Sequence, residues 1–368
     1  MRKLNLLIIS SSSKTGGGPT HVFLLKKIIS HKVNIFFAMP KFKSLENNIN
    51  TKNFISIDER KISIRDIFRL IKFVNNHSID IIHAHGKGAS LIGRILKTFT
   101  GKILVYTFHG IHIECLNPIE KFIYIYYERI LGWVDDHKIF VSKSEYKKAV
   151  LLNFPVGNNF SIINNGVVNK LNKYISRNKI DNIKLGINNL NKNIISVCRL
   201  VDQKNIFEIV KIAKELPSYN FLIIGDGELF FKLKKYIKLS NIKNVYILGE
   251  KKDVYKYLIY AEIFLSTSLY EGHPISILEA MSIGLPIVAS NVIGNVNTID
   301  HGISGFFYQL GNIKMAANLI EKLISNKEKR LSFSRESFIK QRKFFSIENM
   351  KYNYINLYEK LFIERNIS

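Results

Sequence analysis

Cysteines, acidic residues and long apolar runs are scarce in this sequence, and each shortage excludes a class of protein. Only two cysteines, Cys115 and Cys198, occur among the 368 residues. Their wide separation fits neither a metal-binding pair nor a redox-active pair. The sequence therefore favours a protein of a reducing compartment over a secreted disulfide scaffold.

Apolar runs are too short for a membrane span, which needs roughly 20 consecutive apolar residues. The longest candidate, 103–127, is interrupted by a histidine, a glutamate, a proline and a lysine. Near the start, Leu4–Ile9 is broken by Asn5 and no small-residue cleavage site follows, so it predicts a buried strand and not a signal peptide. We expect a cytoplasmic protein, either soluble or peripheral on the inner face of the cell membrane.

Acidic residues are outnumbered by basic ones, 29 against 54, which gives a formal net charge of +25. Such an excess favours anionic partners: nucleic acid, phosphorylated small molecules or an anionic membrane face. The basic residues are spread along the whole chain, and a Lys-, Asn- and Ile-rich composition arises from genome base composition alone. Charge by itself therefore does not choose between these partners.

Short Ile- and Val-rich runs alternate with longer amphipathic segments, a pattern typical of βαβ units around a parallel sheet. With 46% hydrophobic residues the chain has enough apolar material for packed cores. The predicted strands are Leu4–Ser10, Val33–Ala38, Asp80–His83, Ile103–Phe108, Lys138–Ser142, Ser161–Ile163, Asn193–Cys198, Phe221–Ile224, Val245–Leu248, Ile263–Ser266 and Ile287–Ser290.

The alternation stops after Val168 and restarts at Asn193, which predicts two α/β domains. We place an N-terminal domain at 1–172, a connection at 173–192 and a C-terminal domain at 193–345. The amphipathic segment 346–368 is expected to be a helix that crosses back to the N-terminal domain.

Two segments carry residues suited to binding an anion. Gly16-Gly17-Gly18 opens a helix after the first strand, where backbone amides are able to approach a phosphate, although a flexible turn explains the glycines equally well. Arg199 and Lys204 follow a strand of the second domain, where two cations suit a diphosphate. Taken alone, a pair of surface cations is the simpler interpretation.

The segment 266–290 is the richest in motifs. Glu271 lies in a loop with glycine and proline, and Glu279 lies eight residues later on an apolar helix. We expect the Glu279 carboxylate to be paired or hydrogen-bonded, because burial of a bare charge is costly. Two acids at this spacing are suited to binding hydroxyl groups at two points of an extended sugar ligand.

These two glutamates stand inside E-G-x-P-x-x-x-x-E-A-M-x-x-G-x-P-[IV]-[IV]-A-S, which resembles family 4 of the GT-B glycosyltransferases. The resemblance covers nearly the whole chain, and the segment 266–290 is its most specific part. The other matching segments occur in the family's order: Gly16-Gly17-Gly18, Thr107-Phe-His109-Gly110, Val141-Ser142-Lys143-Ser144, Asn165-Gly166-Val167, Arg199 with Lys204, and Gly225-Asp-Gly-Glu228.

The resemblance implies a role for each matching residue. Arg199 and Lys204 would hold the donor diphosphate, Glu279 the ribose and Glu271 the transferred sugar, while His109 would lie near the anomeric carbon. The implied catalytic residues are His109, Glu271, Arg199 and Lys204. The implied donor-binding residues are Gly17, Gly18, Arg199, Lys204, Glu271, Gly272, Ile275 and Glu279.

The resemblance also implies an α/β, GT-B architecture: two Rossmann-like domains facing each other across a cleft. It implies a retaining, hexosyltransferase-type enzyme that uses neither a metal nor another cofactor. The donor would be a nucleotide-sugar, with a UDP-sugar favoured over a GDP-sugar, and the acceptor a glycan or polyprenyl-linked oligosaccharide of capsule, O-antigen or exopolysaccharide synthesis. Nucleic acid is not an expected partner.

Some features depart from the pattern or leave alternatives open. Asn297 stands where the family commonly carries Glu, and His85 has either an acceptor role or a structural one. The basic segment 60–74 and the aromatic run 122–127 are either packing helices, which we favour, or contacts with anionic lipid. The rival functions are another GT-B enzyme, such as a sugar-nucleotide epimerase, and a basic nucleic-acid-binding protein.

Overall fold

The computed structural model describes residues 2–12, 17–41, 51–59, 63–171 and 192–367. The chain forms two compact units. The first consists of Met1–Asn165 together with Ile347–Ser368, and the second of Gly166–Ser346. The expected connection at 173–192 lies outside the described residues except for Lys192, and the domain boundaries placed there stay predictions.

The first unit is built on a parallel sheet of seven strands in the order β3-β2-β1-β4-β5-β6-β7. Its central strands are buried apolar runs because helices cover both faces, as parallel sheets require. The strands are β1 Leu4–Ser10, β2 Val33–Met39, β3 Phe54–Ser56, β4 Ile81–His85, β5 Ile103–Phe108, β6 His137–Phe140 and β7 Phe160–Ile162.

Three helices of the first unit start at side chains that accept from their free amides, at Ser63, Asn117 and Ser142. Ser63 caps one helix by accepting from Asp66 N, and Asn117 forms a reciprocal capping box with Glu120 ahead of Pro118. The helices are α1 Gly17–Ile29, α2 Ile64–Asn76, α3 Lys87–Thr100, α4 Pro118–Leu131, α5 Lys143–Leu151 and α13 Ile347–Ile367, with short 3-10 turns at Thr51–Asn53 and Gly132–Val134.

Helix α13 belongs to the core of the first unit although almost two hundred residues separate it from the rest of that unit. Met350, Tyr354, Leu357 and Tyr358 are buried and pack in one cluster with the apolar side chains of β1, β2 and α1. The first unit therefore depends on two distant stretches of sequence.

The second unit repeats the architecture with six parallel strands in the order β10-β9-β8-β11-β12-β13. Its strands are β8 Asn193–Val197, β9 Asn220–Ile224, β10 Val245–Gly249, β11 Ile263–Ser266, β12 Ile287–Ser290 and β13 Gly305–Tyr308. Its helices are α6 Ile206–Glu215, α7 Phe230–Leu239, α8 Tyr255–Leu258, α9 Ile275–Ser282, α10 Asn295–Thr298, α11 Ile313–Ser325 and α12 Lys327–Phe344, with a 3-10 turn at Asp202–Lys204.

The predicted strands all occur, with ends shifted by at most two residues, and the predicted α/β fold class is confirmed. Two strands were missed, β3 and β13. Both are edge strands of three or four residues that lack the Ile- and Val-rich runs used to recognise the others.

The aromatic run 122–127 agrees with its favoured interpretation only in part. Core packing was expected, and Tyr124, Ile125 and Tyr127 do pack on the core, whereas Phe122 and Tyr126 are exposed. In α2, by contrast, Leu70 and Val74 face the core. None of the helices in the described part of the chain combines the length and apolar character that a membrane crossing requires.

Candidate active site

Several loops of the second unit meet at the carboxyl edge of its sheet, because the strand ends of a parallel sheet share one edge. Strand β8 leads into Arg199 and the Asp202–Lys204 turn. Strand β11 leads into a loop that ends at Glu271, ahead of α9. Residues far apart in sequence are thereby placed side by side.

Lys204 and Glu271 form an ion pair at this edge. The Lys204 ammonium donates to Oε1 of Glu271, and Ser268 Oγ donates to the same oxygen at 2.7 Å. Both charged side chains are largely removed from solvent, at 15% and 9% exposure. A pair this shielded keeps the ammonium in one position, which exposed pairs do not do.

The two loops that carry this pair are joined by further hydrogen bonds. Thr267 Oγ1 donates to the carbonyl oxygen of Lys204 at 2.8 Å, and Gln203 Nε2 donates to the carbonyl oxygen of Tyr270 at 2.9 Å. Leu269 N donates to the carbonyl oxygen of Gln203 at 2.8 Å. The position of Lys204 therefore rests on the backbone of both loops.

Arg199 lies in the same loop, which passes close against the end of β9. Gly225 has φ +139, and a Cβ there would lie 1.9 Å from the carbonyl oxygen of Cys198. Only glycine allows this approach. Arg199 itself is exposed, and within the described residues its guanidinium makes no hydrogen bond or ion pair. It is free to bind an anion.

Glu279 lies on α9 and corrects a further expectation. The apolar surroundings predicted a paired carboxylate, but among the described residues its carboxyl has no hydrogen-bond partner. Burial raises its pKa to about 7, opposed by the nearby charge of Lys170. The raised pKa lowers the cost of burial, because the carboxyl is protonated in part of the molecules at neutral pH, and both forms are able to bond hydroxyl groups.

Gly272 and Ile275 complete the predicted donor-binding set in this unit. Gly272 is buried beside Glu271, and Ile275 is the first residue of α9. Pro274 at the N-cap supplies no side-chain hydrogen bond, so the first amides of α9 are not capped by that side chain. A small pocket next to them is lined by Lys204, Glu271 and Ser276 among others.

The corresponding edge of the first unit carries histidines. His83 and His85 end β4, and His109 follows β5. His21 lies on α1, one turn after Gly17 and Gly18, which open that helix. Gly16 lies outside the described residues.

His85 and His109 are hydrogen-bonded to each other, with Nδ1 of His85 at 2.9 Å from Nε2 of His109. The rings are stacked, with centroids 5.2 Å apart. Within the part of the chain that the structure describes, the Nε2 atom of His85 is buried and has no hydrogen-bond partner. The sequence left open an acceptor role or a structural role for His85. The contact adds a third interpretation, in which His85 positions the ring of His109.

His21 and His83 are held by side chains from other elements. His21 Nδ1 lies 2.8 Å from Asn165 Oδ1, and its Nε2 lies 3.1 Å from the hydroxyl of Tyr354 on α13. His83 contacts the Tyr358 hydroxyl and Thr107 Oγ1, each at 2.7 Å. Both ring nitrogens of each of these histidines therefore have a partner.

Burial lowers the pKa of all four imidazoles, to about 4 for His21 and well below the ordinary value for the others. They are uncharged at neutral pH, so each ring offers one donor and one acceptor. The Asn165 contact fits a proton on Nδ1 of His21, with the Tyr354 hydroxyl donating to Nε2.

His21, His85 and His109 are also the group, within the described residues, whose ligand atoms are close enough to hold a metal ion, all within 4.8 Å of one another. Hydrogen bonds within the protein already engage both nitrogens of His21 and the facing nitrogens of the other two. The three histidines form a hydrogen-bonded cluster in which, among the described residues, Nε2 of His85 has no partner.

Glu145 supports the loop that follows His109. Its Oε2 accepts from the backbone amide of Ile111 at 2.6 Å, while Oε1 is buried without a partner. Burial raises the pKa of Glu145 to about 7. In the same loop Gly110 has φ +142, and a Cβ there would overlap the ring of His112. The loop after His109 is thus supported by Gly110, which belongs to the same motif, and by Glu145, which belongs to none of the matching segments.

The structure brings some predicted residues together and places others apart. Lys204 and Glu271 are in contact, and Arg199, Gly272, Ile275 and Glu279 lie in the same unit. Gly17, Gly18 and His109 belong to the first unit. The roles assigned to these residues stay predictions. Sequence reasoning missed His21, His83, Glu145 and Ser268, and of these only His83 had a visible signal, the His-x-His pattern of β4.

Two family models match this chain. Residues 16–169 match the model described as Glycosyltransferase Family 4, and residues 178–339 match the model described as Glycosyl transferases group 1. The first match contains His109 and the second contains Lys204, Glu271 and Glu279. Together the two matches leave only the ends of the chain and a short stretch near residue 173 unmatched.

Curated relatives include two named enzymes. The UDP-Gal:alpha-D-GlcNAc-diphosphoundecaprenol alpha-1,3-galactosyltransferase of Escherichia coli is 28% identical over 72% of this chain and 71% of that protein. The capsular polysaccharide biosynthesis glycosyltransferase CapM of Staphylococcus aureus is 26% identical over 73% of each.

Solved structures share the fold over nearly the full length. Anabaena HepE, in complex with UDP and glucose, has a TM-score of 0.81 at 17% identity and covers 97% of this chain and 100% of that one. A glycosyltransferase from Rickettsia africae ESF-5 has a TM-score of 0.82 at 17% identity, covering 98% and 99%. The chain therefore belongs to family 4 of the glycosyltransferases and has the α/β architecture of the GT-B fold.

Proposed function

We propose that this glycosyltransferase moves a sugar from a UDP-sugar to a polyprenyl-linked or glycan acceptor in the synthesis of a bacterial surface polysaccharide. The names of the Escherichia coli and Staphylococcus aureus relatives support this assignment, and the former specifies a UDP-sugar donor and a diphosphoundecaprenol-linked acceptor. The UDP bound to HepE is in keeping with the same donor class.

The observation that carries the proposal is the shielded pair of Lys204 with Glu271 at the edge of the second sheet. In the proposed reaction the bond between the anomeric carbon and the donor phosphate oxygen breaks, and negative charge develops on the leaving diphosphate. A fixed ammonium at that point stabilises the charge without rearrangement of solvent. Arg199, which is exposed in the same loop, supplies a second cation.

The carboxyl groups bind the rest of the donor in this proposal. Glu271 accepts from hydroxyls of the transferred sugar, and Glu279, which has no partner in the described structure, bonds the ribose. The acceptor hydroxyl attacks from the face that the leaving group departs from, and its proton passes to the donor phosphate. The anomeric configuration is retained, and neither a protein base nor a metal ion takes part.

The test is a set of reactions with UDP-galactose, UDP-glucose, UDP-N-acetylglucosamine and GDP-mannose, each with and without EDTA. The acceptor is a short-chain lipid-diphosphate N-acetylglucosamine, and NMR reports the anomeric configuration of the product. We expect one UDP-sugar to be used, EDTA to have no effect and configuration to be retained.

Other outcomes contradict specific parts of the proposal. Use of GDP-mannose alone overturns the donor assignment, loss of activity with EDTA overturns metal independence, and an inverted product overturns the mechanism. Isomerisation of the donor without transfer indicates an epimerase. Binding of polyanions with steep salt dependence, and of none of the nucleotide-sugars, indicates the nucleic-acid-binding alternative.

A further inference from the structure

Helix α4 and the turn after it present an apolar stripe to solvent. Six large side chains there are each 51% to 76% exposed. We call these residues the α4 stripe: Ile119, Phe122, Ile123, Tyr126, Ile130 and Trp133. Contiguous exposed apolar surface of this kind marks an interaction site in a folded protein.

The geometry of the helix makes the stripe continuous. At about 100° per residue, the six positions fall within roughly 100° of arc. The opposite side of the helix holds Tyr124 and Glu128, which are buried. The stripe therefore points directly away from the core of the first unit.

The inward side of α4 joins core-packing side chains with one buried charge. Tyr124, Ile125 and Tyr127 pack on the core of the first unit. Glu128 is 2.7 Å from Arg94 of α3, and turning the helix would remove this partner from a buried guanidinium. Core packing and the buried ion pair together hold the stripe on the outward side.

The residues around the stripe indicate what covers it. Arg129 lies on α4 beside the stripe, and its Nε donates to the carbonyl oxygen of Leu152. The end of α4 therefore adjoins the end of α5, a helix on which Leu151, Lys143 and Lys147 are exposed. The surface is apolar at its centre, and Arg129 places a cation at its edge.

We propose that the α4 stripe seats the protein on a lipid bilayer with anionic headgroups. Tryptophan and tyrosine favour the boundary between hydrocarbon and headgroups, and lysine and arginine favour anionic lipid. Such a surface places the enzyme where a polyprenyl-linked acceptor resides, and to that extent the inference rests on the proposed function.

Helix α2, the other segment considered for lipid contact, lacks such a surface. Its exposed large apolar residues are Ile64 and Phe68, and Leu70 and Val74 are in the core. Arg69 on α2 is paired with Asp66. Helix α2 therefore serves as a matched control.

The first measurement uses Trp133, the single tryptophan of the chain. Vesicles of phosphatidylcholine with 30% phosphatidylglycerol are added to the full-length protein, and the fluorescence emission maximum and quenching by acrylamide are followed. We expect a shift to shorter wavelength and reduced quenching. Both are expected to be weaker with pure phosphatidylcholine vesicles.

The second measurement compares variants by vesicle flotation. Ile123→Glu is expected to weaken partitioning by about tenfold or more, because a side chain that enters the bilayer is replaced by a charge. Phe68→Glu on α2 is expected to leave partitioning unchanged. Both positions are exposed, so circular dichroism and melting temperature are expected to match those of the unsubstituted protein.

Three results would overturn the proposal: no binding to either vesicle, equal effects of the two variants, or a Trp133 shift that depends on protein concentration without vesicles, which would assign the stripe to a second copy of the chain. Failure of the proposed function is separate. Vesicle binding without any sugar transfer would leave the α4 stripe in place and remove the transferase assignment.

Discussion

The two sheets end in edges of opposite chemical character. The edge of the second unit carries Lys204 and Glu271 as a charged pair, with Arg199 exposed nearby. The edge of the first unit carries four imidazoles, three of them buried and His109 half-buried, and all are neutral because removal from solvent lowers the pKa of each. One architecture thus supports two kinds of polar surface.

The difference suggests a division of tasks in the proposed reaction. A developing negative charge is met best by a fixed cation, which the second unit supplies. Neutral imidazoles orient hydroxyl groups through hydrogen bonds, and because they carry no charge they do not compete with Lys204 for the diphosphate. The comparison therefore ranks the expected effect of substitutions, with charged groups above neutral ones.

The largest effect is expected for Lys204→Ala. Loss of the fixed cation should lower kcat for sugar transfer by about 10²- to 10³-fold, the range seen when an oxyanion-stabilising group is removed. Steady-state kinetics with the preferred donor measure this. Lys211→Ala, at an exposed position of α6, is the control and should change kcat by less than twofold. A loss of less than tenfold at Lys204 would contradict the ranking.

The next effect concerns the stability of the first unit. Because burial raises the pKa of Glu145 to about 7, the folded protein keeps a proton that the unfolded chain loses above about pH 4.5. The free energy of unfolding should therefore fall as pH rises from 5 to 7. Glu145→Gln removes this dependence. The free energy of unfolding of the variant, relative to that of the unsubstituted protein, should therefore increase by about 2 to 3 kcal/mol as pH rises from 5 to 8.

Urea titrations at several pH values measure the Glu145 effect. A stability difference that does not vary with pH would contradict the raised pKa. The direction of the effect is the important point, since a salt-bridged carboxylate would show the reverse trend.

A smaller effect is expected for His109→Asn. A neutral hydrogen bond is worth about 0.5–1.5 kcal/mol, so kcat should fall roughly tenfold, with KM for the donor little changed. If His109→Asn lowered kcat more than Lys204→Ala, the proposed division between charged and neutral edges would be wrong.

The smallest effect is a change of donor affinity with pH. Burial raises the pKa of Glu279 to about 7, so its ionised fraction increases between pH 6 and 8, and the carboxylate accepts stronger hydrogen bonds from hydroxyls than the acid does. Donor affinity should rise about fivefold over this range. Glu279→Gln should bind more weakly and show a flat profile in calorimetry.

Much of the fold was predictable because buried parallel strands are continuous apolar runs. Strands β1, β5, β11 and β12 have the bounds expected from sequence. The orientation of α4 was not predictable, because its inward side carries Glu128. The contacts with Arg94 and Tyr106, 34 and 22 residues away, are what make that burial favourable.

The candidate site was partly predictable for a similar reason. Glu271, Glu279 and Lys204 lie in short local motifs that sequence reasoning detects. The partners of His21 do not lie in a local motif, because Asn165 and Tyr354 are 144 and 333 residues away from it. The unpaired state of Glu279 was also missed, because a raised pKa replaced the expected partner.

The composition of the first unit has a consequence for synthesis on the ribosome. Tyr354 and Tyr358, which hold His21 and His83, lie on α13, and the second unit ends before that helix begins. During translation, all residues of the second unit emerge before α13 is available to the first. The unit that is translated first is therefore the last to complete its core and its histidine cluster.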